Sequence, residues 1–261
     1  MTVPDRPEAA AFFDLDRTLI AGASTFVFGW VAWRRGLVAT ADLLGDAASA
    51  MSFRLTGGSD EQSDMVRDRI LEAVKGRQRE EVTSLNDDIL PRLLNSVRPE
   101  TRTVVERHHD AGRDTYIVSA SPIELVGPLA GALGMTGAIA TESEVVDGSY
   151  TGRLLSTFCY GEGKVERVRA LSAAKGYDLR LCYAYSDSRS DLPLLEAVGH
   201  PVAVNPDATL RKAARSRNWP VVHFARRAKM TVTAITSGVA TAGFGAGMYA
   251  LGRRHALRKV T

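Results

Sequence analysis

The order of apolar and polar positions divides the first 225 residues into two kinds of chain. A short apolar run over residues 9–13 ends in two carboxylates, Asp14 and Asp16. Because this run does not alternate with polar residues, it is typical of a strand in a parallel sheet that is covered on both faces. From residue 97 onward, apolar runs and amphipathic segments alternate, which indicates parallel strands joined by right-handed helical crossovers. The pattern predicts an α/β protein with a doubly wound parallel sheet.

The alternating region predicts five helices and five strand segments. The helices are expected at Pro99–Ala111, Pro122–Leu133, Gly163–Ala174, Leu192–Val198 and Ala208–Ser216. The strands are expected at Thr115–Ser119, Leu181–Tyr185, Val202–Val204 and Val221–Phe224, with a strand and hairpin over Ala138–Tyr150. Ser121 and Pro122 suit the N-cap and the first position of a helix. Asp147-Gly148 suits a hairpin turn.

Residues 21–97 contain helical periodicity and no convincing strand. The helices are expected at Thr25–Trp33, Thr40–Leu55, Asp64–Val74 and Arg79–Leu94. We expect the aromatic residues of this block to lie in its core rather than to bind a ligand. An insertion directly after the first strand would cover the carboxyl edge of the sheet as a cap. The predicted division is 1–20 core, 21–97 helical cap, 98–225 core and 226–261 tail.

Charge separates the tail from the body of the chain. The net charge is +3, but seven Lys and Arg residues and no acid follow Phe224, so without these seven residues 1–225 carry −4. This mildly acidic body argues against a nucleic-acid-binding surface. Two cysteines, Cys159 and Cys182, form no metal-binding spacing and suit packing in a reducing compartment. The first eight residues lack the features of a secretory signal, so we expect a cytoplasmic body.

The tail contains a long uncharged segment with cations on both sides. Residues 230–252 carry no charged residue over 23 positions, close to the roughly 20 that a membrane-spanning helix needs. The segment is rich in Thr, Ala and Gly, and Gly243 and Gly247 have a GxxxG spacing that suits close helix packing. The alternative is a marginal helix packed on the protein or left flexible. We expect a possible transmembrane helix that anchors the body at the cytoplasmic face of the membrane.

The residues that could act in catalysis or ligand binding lie at the predicted strand ends. Asp14 and Asp16 end the first strand, and residues two apart in an extended chain point the same way. In an open α/β sheet, ligands bind at this edge. Ser119 and Asp187 end two later strands, and Lys164 begins the helix between them. Taken singly, each residue has an ordinary structural explanation: a surface acid, a helix cap, a solvated lysine or a turn. Their joint position at strand and helix ends favours a site.

The acids at these strand ends indicate a binding site for a cation together with a phosphate group. Asp191 lies four residues after Asp187, so several acids would repel one another unless a cation is bound. Mg²⁺ prefers oxygen ligands and uses one or two carboxylates together with substrate phosphate. Lys164 would neutralise a phosphoryl group, while Ser119 and neighbouring main-chain N–H groups, such as that of Ala120, would hold its oxygens. We therefore expect Mg²⁺ as the cofactor.

This set of residues resembles the four motifs of the haloacid dehalogenase superfamily. The motifs are Asp14-Leu15-Asp16-Arg17-Thr18, then Ser119, then Lys164, then Asp187 with Asp191. Over about residues 8–225 the chain looks like the phosphoserine-phosphatase-like branch, whose helical cap follows the first motif. The resemblance implies a Rossmann-like core with an inserted cap.

The resemblance also implies a role for each residue. Asp14 would be the nucleophile that forms an aspartyl-phosphate, and Asp16 the general acid and base. The metal ligands would be the Asp14 carboxylate, the Asp16 main-chain carbonyl and Asp187. Ser119 and Lys164 would bind phosphoryl oxygens. The two supporting residues are Asp191, which would orient Lys164 or a metal-bound water, and Thr18, which would contact the phosphate or fix the turn.

The sequence departs from the family pattern where a substrate serine would bind. No acid occurs in residues 21–25, where phosphoserine phosphatases carry one that pairs with the amino group. Ala120 and Ser121 replace glycines, and Ser190 replaces an asparagine. We therefore expect a Mg²⁺-dependent phosphomonoesterase acting on a small or lipid phosphate ester, such as a lysophospholipid-type substrate, with phosphoserine as the alternative. A non-catalytic phosphoacceptor or binding module is the alternative of another class, and Asp16 argues against it.

Overall fold

The computed structural model describes residues 8–36, 64, 67–68 and 71–224. The strands within these residues are β1 (Ala10–Asp14), β2 (Asp114–Pro122), β3 (Gly137–Thr141), β4 (Ser143–Val146), β5 (Ser149–Leu154), β6 (Tyr183–Ser186), β7 (His200–Val204) and β8 (Val221–Val222). The helices are α1 (Ser24–Arg34), α2 (Arg79–Thr83), α3 (Asn86–Ser96), α4 (Pro99–Asp110), α5 (Ile123–Ala132), α6 (Glu162–Lys175), α7 (Leu192–Ala197) and α8 (Ala208–Ser216).

Six strands form a parallel sheet with β1 near its centre. The strand order is β3-β2-β1-β6-β7-β8, and every neighbouring pair is parallel. The sequence order reverses at β1, because the chain builds outward on one side through β2 and β3 and then returns to β6 on the other. Such a reversal opens a crevice at the carboxyl ends of the strands. The predicted doubly wound α/β fold is confirmed.

The apolar side chains of β1 pack into two separate hydrophobic cores, one on each face of the sheet. Alternate residues of the strand belong to different hydrophobic clusters: Ala11 and Phe13 to one, Ala10 and Phe12 to the other. All four are fully buried. Burying a phenylalanine side chain contributes roughly 1.5–3 kcal/mol, so both faces of this strand stabilise the fold. A strand covered on both faces has no polar side to present, which explains the absence of alternation in its sequence.

The helical insertion leaves and returns at one point of the sheet. Ile20 and Val97 form an antiparallel bridge, and the Ala21 N–H donates to the Ser96 carbonyl at 2.8 Å. Between them the described residues form α1, α2, α3 and a helical stretch over residues 71–74. The predicted helix at 40–55 lies outside the described residues, as does part of the one at 64–74. The division into core and cap stays a prediction.

Two expectations for the insertion are wrong. The predicted helix over 79–94 is two helices, α2 and α3, because the chain turns at residues 84–85. The aromatic side chains of α1 are not all in the core: Phe26, Trp30 and Trp33 are 45%, 36% and 40% exposed. Helix α1 is apolar on more than one face, and only the face carrying Val31 contacts the buried cluster.

The hairpin β4–β5 ties the insertion to the sheet domain. Its turn is at Asp147-Gly148, both with positive φ, as expected for a tight hairpin turn. Residues 76–79 pair along its edge: the Gly76 N–H donates to the Tyr150 carbonyl at 2.8 Å, and Gln78 bridges Ser149. The segment between the helical stretch at 71–74 and α2 is therefore bonded to the β4–β5 hairpin.

The tail lies outside the described residues, including the apolar segment 230–252. Among the residues that the structure describes, no helix has the length and apolar character that crossing a membrane requires.

Candidate active site

The chain turns sharply between β1 and α1 and carries both predicted catalytic acids through the turn. The Ile20 N–H donates to the Leu15 carbonyl at 3.0 Å, and Arg17 adopts a left-handed φ of 62°. The carboxylate of Asp16 accepts the Ser24 N–H at 2.6 Å, next to the N-terminus of α1. Asp14 is thus the last residue of β1, whereas Asp16 is placed by the turn that follows and not by the strand alternation that the sequence pattern suggested.

Lys164 connects two of the predicted acids. Its Nζ atom donates to Asp14 Oδ1 at 2.7 Å and to Asp191 Oδ2 at 2.9 Å. All three residues are buried, and they come from the end of β1, the first turn of α6 and the turn before α7. The Ser186 hydroxyl donates to the same Asp191 oxygen at 2.6 Å. Residues that are 150 positions apart in the chain are thus joined in one buried ion-pair network.

The environment shifts the pKa values of Asp14, Lys164 and Asp16. Burial raises the pKa of Asp14 to about 7, and the attraction of Lys164 only partly opposes it. Burial by itself would lower the pKa of Lys164, but the carboxylates of Asp14 and Asp191 raise it on balance. Burial also raises the pKa of Asp16, against the hydrogen bond from Ser24. Such shifts are common where side chains take part in proton or group transfer.

Asp187 lies beside the same cluster, directly after β6. Burial, followed by repulsion from Asp14, raises the pKa of Asp187 to about 8. The Nε atom of Arg17 is 2.8 Å from its Oδ2 atom, which opposes the rise. The main-chain carbonyl of Asp187 accepts the Asp207 N–H at 2.9 Å. Asp187 is therefore held in place from both sides, by its side chain and by its backbone.

A row of hydroxyls continues the site from β2. The Ser119 Oγ accepts the Ser121 N–H at 3.2 Å, and the hydroxyls of Ser121 and Ser24 are 3.1 Å apart. Ser121 was expected to cap the helix that follows, but the N-cap position is Pro122 and carries no side-chain cap. Strand β2 continues to Pro122 through a register shift, so Ser121 faces α1 instead.

The remaining two predicted substrate contacts are both near this row. Thr18 is fully buried; its carbonyl accepts the Thr101 hydroxyl at 3.1 Å, while its own hydroxyl has no partner among the described residues. The Ala120 carbonyl accepts the Thr141 hydroxyl at 2.7 Å. All eight predicted site residues thus lie on segments that meet at the carboxyl edge of the sheet, around β1, β2 and β6.

The donor chemistry fits a small divalent cation. In the described part of the chain, no group of three or more His, Cys, Asp and Glu side chains is arranged to hold a metal ion. Asp14 and Asp187, however, are two buried carboxylates with raised pKa values, and repulsion from Asp14 is part of the cause at Asp187, so a cation between them would relieve that repulsion. Two carboxylates completed by main-chain, water and substrate oxygens are a usual set for Mg²⁺.

Four residues that shape the site were not predicted from the sequence. These are Arg17, Ser24, Ser121 in its observed role, and Ser186. Ser24 and Ser186 stand at element ends, as Asp14 does, and this position was the available signal. The contact between Arg17 and Asp187 joins residues 170 positions apart, and no local pattern reveals it.

The carboxyl edge of this parallel sheet carries buried carboxylates, a buried lysine and hydroxyls. This combination is typical of α/β enzymes that act on anionic substrates. Comparison with known proteins narrows this class. A family model for haloacid dehalogenase-like hydrolases matches residues 11–196. The chain therefore belongs to the haloacid dehalogenase-like hydrolases, as its four motifs suggested.

Individual relatives agree with this assignment. A probable phosphatase of Mycobacterium tuberculosis is 41% identical over 97% of this chain and 92% of its own length. A phosphoserine phosphatase of the same species is 37% identical over 96% of this chain and 82% of its own. A crystal structure of a Bordetella pertussis protein of unknown function has 32% identity and a TM-score of 0.73, over 83% of this chain and 98% of that one. The prediction of an enzyme of the phosphatase class is confirmed.

Proposed function

We propose that the protein is a Mg²⁺-dependent phosphomonoesterase that works through an aspartyl-phosphate on Asp14. The observation that carries the proposal is the buried contact of Lys164 with Asp14 and Asp191. A lysine fixed beside a nucleophile can balance the negative charge that a phosphate dianion brings to a carboxylate. Asp191 accepts a second hydrogen bond from this lysine and is itself held by the Ser186 hydroxyl.

Asp14 and Asp16 have different roles in this mechanism. An Asp14 oxygen attacks phosphorus, the bond between phosphorus and the leaving oxygen breaks, and Asp16 gives that oxygen its proton. Asp16 then takes a proton from water, whose oxygen attacks phosphorus and releases Asp14. The raised pKa of Asp16 favours the protonated form that the first step needs. The Ser24 N–H fixes the orientation of the Asp16 carboxylate.

The metal would be held by the carboxylates of Asp14 and Asp187 and by the main-chain carbonyl of Asp16. When bound, Mg²⁺ withdraws charge from the phosphoryl oxygens and holds nucleophile and phosphate together. Ser119, the main chain at Ala120, and the Thr18 hydroxyl would bind phosphoryl oxygens. The Thr18 hydroxyl supports this assignment, because a buried hydroxyl without a partner is costly unless a ligand satisfies it.

Replacement of each acid separates the two steps. Asp14→Asn is expected to lower the Mg²⁺-dependent release of phosphate from p-nitrophenyl phosphate by about 10³-fold or more, because an amide does not form the intermediate. Asp16→Asn is expected to cost about 10²–10⁴-fold with an alkyl phosphate and much less with p-nitrophenyl phosphate, whose leaving group needs no proton. Asp88→Asn, an exposed acid paired with Arg35, is the control and should keep full activity. Retained activity in Asp14→Asn would refute the mechanism.

The residues directly after the first motif bear on which phosphate esters the protein would accept. Residues 21–25 supply no carboxylate for a substrate ammonium group. We infer that non-amino phosphomonoesters are turned over better than phosphoserine, although a relative at 37% identity is named a phosphoserine phosphatase. A panel of phosphoserine, glycerol phosphate and lysophosphatidate compared by kcat/KM tests this. Phosphoserine at or above the best non-amino ester would establish the alternative.

A lipid phosphate ester is the substrate class that the tail sequence suggests. The uncharged segment 230–252 between cationic flanks would place the active site at a membrane surface. The proposal rests on this composition alone. High-speed centrifugation of lysate without detergent tests it: full-length protein should sediment with membranes, while a variant ending at residue 225 should stay in the supernatant. Supernatant recovery of both proteins would remove the case for a lipid substrate.

A further inference from the structure

Arg17 occupies a backbone conformation that rarely suits a residue with a side chain. Its φ of 62° lies in the left-handed region, where a non-glycine residue costs of order 1 kcal/mol or more. The turn between β1 and α1 is tight, and glycine would adopt this conformation freely. Strained residues of this kind cluster at functional sites, so the side chain itself needs an explanation.

The Arg17 side chain is the cationic partner of a buried carboxylate. Its Nε atom is 2.8 Å from Asp187 Oδ2; the Asp187 side chain is 5% exposed and that of Arg17 46%. The other charged groups that act most strongly on Asp187 are acids: Asp14, Asp191 and Asp207. Arg17 therefore partly neutralises a carboxylate that is otherwise surrounded by negative charge.

The same carboxylate is a ligand of the cation in the proposed function. A divalent ion and a guanidinium group repel each other, and Arg17 already occupies Oδ2 of the carboxylate that the ion would need. We propose that Arg17 is a built-in competitor for the divalent cation, so that metal binding displaces its guanidinium from Asp187. The half-exposed side chain can swing into solvent at small cost, whereas Asp187 is fixed by the backbone bond to Asp207.

This competition has a defined consequence. Without metal, Arg17 would partly offset the negative charge at Asp187, and the site would bind metal less tightly than an equivalent site without the arginine. The inference rests on the proposed function, since it needs Asp187 to be a metal ligand.

Isothermal titration of metal-free protein with MgCl₂, without substrate, measures the effect directly. Arg17→Met keeps a long side chain and the same backbone strain but removes the charge and the donor. It is expected to bind Mg²⁺ about three- to tenfold more tightly than the wild type. Arg35→Met is the matched control, because Arg35 is also about half exposed and pairs with an acid, Asp88. The control should bind Mg²⁺ as the wild type does.

A second measurement on the wild type separates displacement from simple charge repulsion. The Nε–H signal of Arg17 in a ¹H–¹⁵N spectrum, assigned by its absence in Arg17→Met, should shift and lose protection from solvent exchange as Mg²⁺ saturates. An unmoved signal would overturn the inference, even if the variant bound more tightly, and so would unchanged affinity. If neither protein bound Mg²⁺, the proposed function would fail as well; Mg²⁺-dependent activity with unchanged affinity would refute the competition alone.

Discussion

Lys164 illustrates how a buried charge is tolerated at the scale of one residue. An unpaired ammonium group in a protein interior is very costly, but here two carboxylates and the short hydrogen bonds to them compensate. Removing any one of these charged groups should be strongly destabilising, because the others would stay buried without a compensating partner. Asp191 depends on this network directly: its Oδ1 atom has no hydrogen-bond partner among the described residues.

His108 predicts a pH dependence of stability that is separate from catalysis. Its ring lies in the core, with Nε2 at 2.9 Å from the Tyr185 hydroxyl. Burial, with repulsion from Arg113 and His109, lowers the pKa of His108 to about 4. Because the unfolded chain then binds more protons than the folded one between about pH 4 and 6.5, the free energy of unfolding falls as the pH falls through this range.

The expected loss from this histidine between pH 7.5 and 5 is about 2 kcal/mol. Urea unfolding of the wild type and of His108→Gln at both pH values measures it, and the variant should lack this part of the pH dependence. The comparison is made between the two proteins because Asp14 and Asp187, with raised pKa values, act in the opposite direction. Equal pH dependence in both proteins would contradict the prediction.

At the scale of elements, the start of α6 determines where Lys164 lies. Gly163 packs so closely that a Cβ atom on it would be 2.0 Å from the Phe158 carbonyl oxygen. A backbone oxygen cannot move away as a flexible side chain can. Any side chain at this position would push the first turn of α6, and Lys164 with it, away from Asp14.

Gly163→Ala is therefore expected to lower both stability and activity. The loss of stability should exceed about 2 kcal/mol, the range of a backbone clash in a packed interior, and activity should fall even where the protein remains folded. Gly131→Ala is the matched control: it lies in α5 with nothing within 4 Å of a new Cβ, and should stabilise by roughly 0.5–1 kcal/mol. Chemical unfolding and phosphate release measure both. A neutral Gly163→Ala would show that this helix start is not fixed.

At the scale of the whole molecule, the buried acids make the metal-free protein sensitive to pH. Asp14 and Asp187 have pKa values raised from 3.8 to about 7 and 8. A raised pKa in the folded state gives stability that is complete below about pH 4 and lost as the pH rises to about 8. Metal binding requires the ionised carboxylates, so it should counteract this loss where the loss is greatest.

Saturating Mg²⁺ is therefore expected to raise Tm by several degrees at pH 8 and by clearly less at pH 6. Thermal unfolding with MgCl₂ or with EDTA at both pH values measures the difference. Asp187→Asn should show little response to Mg²⁺ at either pH. A larger response at pH 6 than at pH 8 would contradict the assignment of these two carboxylates as metal ligands.

Local sequence determined much of the sheet and the candidate site. The uninterrupted apolar run before Asp14 marks a strand buried on both faces, because such a strand has no polar side. Lys164 and Asp187 could be found because each stands at or next to an element end, and parallel strands bring such ends to one edge. Ser119 was found because the strand was expected to end there, although β2 continues to Pro122. The Asp147-Gly148 turn follows from residues that tolerate positive φ. These features depend on short-range patterns or on general rules of α/β topology.

Only the tertiary structure decided how these groups meet. The contact of Lys164 with Asp14 spans 150 positions, and that of Arg17 with Asp187 spans 170; no periodicity records such pairings. The break between α2 and α3 and the exposure of Trp30 depend on which helix faces find partners, which propensity does not specify. Asp16 was recognisable as a candidate catalytic acid, but its contact with Ser24 forms because the chain turns through Arg17. The sequence alone identified the residue types that could carry the chemistry. The contacts that shift their pKa values and fix their positions form only when distant segments pack together.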